Sequence, residues 1–200
     1  IYPVQGYWKW GGGYLNEAGF LDFAGSGVVH MCGAVAALAG VLLLGPRKGK
    51  YNDDGSVNPM PGANLPLATL GTFLLWFGWY AFNAGSTLGM WSGAPVVAAR
   101  CCVTTTLCAA SCAITNVIIN YLLTGGEYSL GSTLNGVLAG LVSITAGCPV
   151  VTPGMSVIIG MIGALVYTGW SKLMLLLKID DVVDAVAVVA GVVVVVVGVV

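Results

Sequence analysis

Charge is what this chain has least of: seven Lys or Arg and eight Asp or Glu among 200 residues, against 58% hydrophobic residues. A soluble domain carries about a quarter of its residues charged, so a water-exposed globule is excluded and the apolar excess must face lipid. The net charge of −1 leaves no basic footprint for nucleic acid. Histidine occurs once, and the six cysteines (Cys32, Cys101, Cys102, Cys108, Cys112 and Cys148) form no CxxC pair. Zinc and a secreted disulfide framework are therefore unsupported, and the thiols read as small hydrophobes in helix packing. No phosphate-cradling loop, nucleophile–base pair or metal cluster is visible, so the chain is not expected to be an enzyme or to need a cofactor. No Asn-Pro-Ala triplet occurs, which disfavours a water or glycerol channel. A basic leader is also missing: the chain starts at Ile1 on an aromatic, glycine-rich segment and closes within an apolar run. Residues 1–200 are expected to be a single membrane domain, cut at both ends from a longer protein.

What is there is a series of apolar runs near the ~20 residues needed to cross about 30 Å of hydrocarbon. They cover about Phe23–Gly45, Leu65–Ser86, Pro95–Leu123, Leu130–Cys148 and Gly154–Leu177, and a sixth begins near Ala185. Backbone polar groups in lipid must pair internally, which allows only helices or closed barrels. Barrel strands are about ten residues with alternating polarity; these runs are twice as long and apolar all round. The predicted fold is all-α, a polytopic bundle of about six transmembrane helices.

Alternate loops then share a side. Pro46–Asn64, Thr124–Ser129 and Lys172–Asp184 hold five of the seven basic residues, while Lys9 and Arg100 lie opposite. The positive-inside rule makes the five-residue side cytoplasmic. Gly136 with Gly140, and Gly33 with Ala37, are small residues spaced for close helix approach. The Val192–Val197 run is low in complexity and suggests no function.

Few residues can carry chemistry. An ionisable group inside a membrane costs roughly 2.5–3.5 kcal/mol or more and is a functional candidate by default. His30 is that group, read as a neutral imidazole with one donor and one acceptor. Asp22 stands eight residues earlier, where a carboxylate caps free N–H groups of the first span. Phe82 and Ser86, at i and i+4, share one face near the outer end of the second span, and Trp10 belongs to the same side. An aromatic face attracts a cation and a hydroxyl accepts its hydrogen bond, although aromatic belts are common at membrane interfaces. Asp180, Asp181 and Asp184 read as cap and first-turn carboxylates of the last span. Thr104–Thr106 can satisfy helix carbonyls and is assigned no site.

Asp22-Phe23-Ala24-Gly25-Ser26-Gly27-Val28-Val29-His30 resembles the signature of the ammonium transporter (Amt/Mep/Rh) family. Trp8-Lys9-Trp10-Gly11-Gly12-Gly13, Phe82-Asn83-Ala84-Gly85-Ser86 and Lys178-Ile179-Asp180-Asp181 resemble its other blocks, in order and spacing. Gly45-Pro46-Arg47 and Trp76–Tyr80 look most like the plant, algal and fungal branches. The resemblance implies eleven spans in two inverted halves around a pore, assembled as a homotrimer in a bilayer, with the plasma membrane as the expected location. This chain would supply the second half plus the preceding span, which leaves the pore wall open. It further implies ammonium recruitment at Trp10 and Ser86, a gate at Phe82, ammonia passing His30, and electrostatic support from Asp22, Asp180 and Asp181. One position departs: where the family has a second pore histidine, this chain has Val189. A non-transporting ammonium sensor and an inactive structural fragment are the other readings.

Overall fold

The computed structural model describes residues 1–191, with side chains through residue 189; the valine run at 192–197 lies outside the described residues. Two short helices come first, α1 (Tyr2–Trp10) and α2 (Tyr14–Glu17). A π-helical turn at Ser26–Met31 leads directly into α3 (Cys32–Leu44). Then follow α4 (Leu65–Gly85), α5 (Ala94–Thr124), α6 (Leu130–Ile144) and α7 (Pro153–Leu176), and a second π-turn at Ala187–Gly191.

Local chemistry sets the helix ends. Asn64, Ser129 and Thr152 cap α4, α6 and α7 by accepting from Leu67, Ser132 and Met155 backbone N–H groups, the service expected of such residues at an N-cap. Pro66, Pro95 and Pro153 stand in first turns, where the missing N–H is not needed. Gly125, at a φ of 74°, closes α5.

Among the described residues, four helical segments are long and apolar enough to cross a membrane: Ser26–Leu44, Leu65–Gly85, Ala94–Thr124 and Pro153–Leu176. They match four of the expected runs. The fourth run differs, because its helix stops at Ile144, after 15 residues. The turn beyond it is bonded to another segment: Phe23 and Ala24 N–H donate to the Ala146 and Thr145 carbonyls, and the Ser26 hydroxyl donates to the Val142 carbonyl. Of the sixth run, the described residues extend from Ala185 to Gly191, with the π-turn at Ala187–Gly191.

Helix α5 forms the spine, packed against both α6 and α7. Gly140 of α6 faces it so closely that a Cβ there would stand 2.7 Å from the Cys108 carbonyl and 2.8 Å from Ala109 Cα. Gly160 of α7 meets the same stretch, against Ser111 and Cys108. The Gly136/Gly140 spacing thus has the expected consequence. The Gly33/Ala37 pair does not: a Cβ on Gly33 would meet nothing within 4 Å among the described residues. Polar side chains add to the packing. Asn116 of α5 donates to Thr168 of α7 (3.3 Å) and accepts from Ser132 of α6 (3.1 Å). Such bonds hold helices together where burying apolar surface cannot distinguish protein from lipid.

The α3–α4 loop is fastened to the segment after α7 by one ion pair. Arg47 donates through Nε and NH2 to the two oxygens of Asp180 at 2.7 and 2.8 Å, and its backbone N–H donates at 2.9 Å. This corrects the expected cap role for Asp180, whose carboxylate is turned to a guanidinium 133 positions earlier. The cap belongs to Asp181, which accepts from the N–H groups of Ala185, Val186 and Ala187, while Asp184 accepts from Tyr167 and Ser171 hydroxyls. The bond from Arg47 holds the Asp180 carboxyl down at about 2. A depressed carboxylate stabilises the fold above its ordinary pKa near 3.9, and that contribution disappears as pH falls toward about 2. Acid unfolding of the wild type and Asp180→Asn should therefore show a stability gap near pH 7 that closes between about pH 4 and 2.

Candidate functional site

The site begins with the turn before the first span. Asp22 is fully buried, and its two oxygens accept four backbone N–H groups: Gly25 at 3.0 Å and Ser26 at 2.7 Å on Oδ1, Gly27 and Val28 both at 2.9 Å on Oδ2. Such a chain path needs Gly25 at a φ of 108°, open only to glycine at low cost. The carboxylate neutralises the free N–H groups of the π-turn and the positive end of its dipole. The cap role expected for Asp22 is the role it has. The same turn orients Trp10, whose indole N–H donates to the Asp22 carbonyl at 2.9 Å.

His30 sits one turn further on. Its ring stacks on Phe82 (centroids 5.2 Å apart, 23° between planes) and on Trp79 (5.0 Å, 29°). The imidazole Nδ1 is buried and has no hydrogen-bond partner among the described residues. Trp79 is held by its own N–H, which donates to Thr145 Oγ1 at 2.9 Å. The turn after α6 therefore supports both the π-turn and the indole beside the histidine.

Above the Phe82 ring lies a cavity of about 640 Å³, lined among others by Trp10, Phe82, Ser86 and Lys9. Three of the residues singled out from sequence thus meet in one space, and the fourth, His30, touches it through Phe82. The Ser86 hydroxyl donates to the Phe82 carbonyl at 2.7 Å. With its proton committed along the helix, the oxygen offers lone pairs to the cavity. An aromatic face and an acceptor oxygen make a place for a small cation with N–H groups to give.

Sequence reading missed Trp79 as a neighbour of His30. It lies three residues before Phe82, so helical periodicity puts both rings on one face, but that signal was lost among the aromatics of Trp76–Phe82. Lys9 in the cavity was missed as well. Asp180 and Asp181 lie away from this site: they help line a separate polar cavity of about 240 Å³ with Arg47, Lys50, Asn135 and Asp184. From His30 to the end of α3 the chain advances about 20 Å at the rise of a helix. Val189, at the second position of interest, packs against the apolar core alongside Met31 and Trp79.

Apolar spans, interhelical polar bonds and an aromatic-lined cavity at one end of the bundle define a multi-pass membrane protein. All 200 residues match the family model described as the Ammonium Transporter Family, and the chain belongs to that family. Ammonium transporter Amt2 of Archaeoglobus fulgidus is 46% identical over 199 residues, covering 94% of this chain and 42% of that protein. Ammonium transporter 1 member 1 of Arabidopsis thaliana is 40% identical, covering 92% and 40% respectively. Among solved structures, a Sensor Amt Protein superposes with a TM-score of 0.91 at 42% identity, over 98% of this chain and 49% of that one. Candida albicans Mep2 superposes with a TM-score of 0.85 at 38% identity, over 95% and 41%. The chain thus spans less than half the length of each of these relatives.

Proposed function

We propose that the protein to which these 200 residues belong carries ammonium across the plasma membrane as a homotrimer. The cation is recruited at the outer cavity by the face of Trp10 and the oxygen of Ser86. It gives up its proton near Phe82, and neutral ammonia passes His30 into the bundle. Asp22 holds the turn that aims His30, while Asp180 and Asp181 fasten and cap the opposite end. The observation that carries this reading is the unbroken contact from the cavity shared by Trp10, Ser86 and Phe82 to the stacked ring of His30.

Energetics favour the deprotonated passenger. A bare cation in a low-dielectric path faces a penalty of order tens of kcal/mol. Removing a proton from an amine two or three pKa units above neutral costs roughly 3–4 kcal/mol. With valine at position 189, the path has one imidazole in this chain where the family pattern has two.

The test uses the full-length protein in proteoliposomes. Trp10→Leu removes the aromatic face, worth about 0.5–2 kcal/mol to a bound cation, and should raise the half-saturating ammonium concentration by roughly 2- to 30-fold. Ser86→Ala should raise it as well. If both variants saturate as the wild type does, recruitment is not at this cavity.

The likeness to a Sensor Amt Protein favours one second reading, an ammonium sensor that binds without carrying. It predicts saturable ammonium binding with no flux in the same vesicles, and the inactive fragment would show neither.

A further inference from the structure

The recruiting cavity contains a group that works against its occupant. Lys9 lines the same cavity as Trp10, Phe82 and Ser86. It stands in the last turn of α1, where the free carbonyls and negative end of the helix dipole favour a cation, so the charge is held at the mouth. No carboxylate forms an ion pair with it among the described residues, where the ion pair formed is Arg47 with Asp180. The other polar side chains lining the cavity, Tyr2, Asn16 and Ser86, include no carboxylate to cancel it. Neither the stacking of Phe82 on His30 nor the Trp10 bond to the Asp22 carbonyl requires a lysine at position 9. The position is free to set charge.

We propose that Lys9 sets the affinity of the outer site: its fixed positive charge repels an arriving ammonium ion and raises the concentration needed to fill the cavity. This rests on the recruitment reading given above. A transporter built this way responds to a higher range of ammonium than the same aromatic and hydroxyl groups would without the lysine. The residue acts through the field and not by contact, so its signature is dependence on ionic strength. Two unit charges several ångströms apart in a largely aqueous mouth interact enough to change occupancy about three-fold. Such an interaction is felt when the screening length is about 30 Å, near 0.01 M salt, and fades when it is about 8 Å, near 0.15 M.

The experiment measures initial ammonium flux against concentration for the full-length protein in proteoliposomes, at low and at physiological ionic strength. At low salt, Lys9→Gln should lower the half-saturating concentration about three-fold. Lys9→Glu should lower it further, and Lys9→Arg should stay with the wild type because it keeps the charge. The spread among the four proteins should narrow as salt rises. A Lys9→Gln protein that matches the wild type at low salt, while Trp10→Leu is weakened, overturns the role of Lys9 and leaves the site standing. A shift that is equal in Lys9→Gln and Lys9→Arg, or that ignores salt, also overturns it, since shape and not charge would be the cause. If Trp10→Leu is unaltered too, the recruitment site itself fails, and this inference with it.

Discussion

Asp22→Ala should cost the folded protein at least about 3 kcal/mol, the largest loss expected of any polar substitution here. The carboxylate accepts four backbone N–H groups in a fully buried position. Each donor left without an acceptor away from water is worth roughly 1–3 kcal/mol. Local rearrangement recovers part of that sum, since the turn can loosen, but loosening releases the backbone that carries His30. Asp22→Asn is the informative companion. Its one carbonyl oxygen can serve two of the four donors, and its amide confronts the other two with hydrogens, so its stability should fall between wild type and alanine. Thermal unfolding of the full-length proteins in detergent measures the order. An alanine variant that melts with the wild type would mean that the turn is held by something other than this carboxylate.

The second large effect comes from packing. A side chain at Gly160 would drive into Ser111 Oγ and the Cys108 carbonyl, with the Cys112 backbone nitrogen 3.0 Å from the new Cβ. Two of these are main-chain atoms of α5, which cannot turn aside as a flexible side chain can. The same carbonyl is also met closely by Gly140 of α6, so a shift of α5 to relieve one contact disturbs the other. Overpacking usually costs about 1–3 kcal/mol and sometimes more. Gly160→Ala should reach that range, and Gly160→Leu should prevent α7 from docking, seen as lost yield and aggregation on size-exclusion chromatography. Gly169→Ala, on the same helix with nothing within 4 Å, should be neutral or stabilising by up to about 1 kcal/mol. Equal behaviour of the two helix positions would contradict the close α5–α7 contact.

Much of this architecture can be read from the residues because lipid simplifies the problem. A span needs about 20 apolar residues whatever its neighbours, and Ser26–Leu44, Leu65–Gly85, Ala94–Thr124 and Pro153–Leu176 satisfy that locally. Asp22 is legible for the same reason: a carboxylate just before an apolar helix has a local job. Phe82 and Ser86 share a face by helical period alone. What resisted reading depends on distant partners. Nothing near Asp180 in sequence indicates that Arg47 will reach it. Helix α6 stops at Ile144 because residues 23–26 take up carbonyls at its end, and no feature of the Leu130–Cys148 run marks that point. The neighbours of His30 divide in the same way. Phe82 stands in a recognisable block, whereas Trp79 is one aromatic among several until the fold brings the turn after α6 beneath it. Lys9 was sorted by its side of the membrane, and only the folded chain puts it in the cavity.

The pore reading depends most on the imidazole at position 30 lying on the path taken by ammonia. The direct measurement compares ammonium and potassium flux through the full-length protein and His30→Ala in the same proteoliposomes. The account predicts that the alanine variant either stops conducting ammonium or admits potassium alongside it. Ammonium flux and selectivity indistinguishable from the wild type would show that the substrate travels elsewhere.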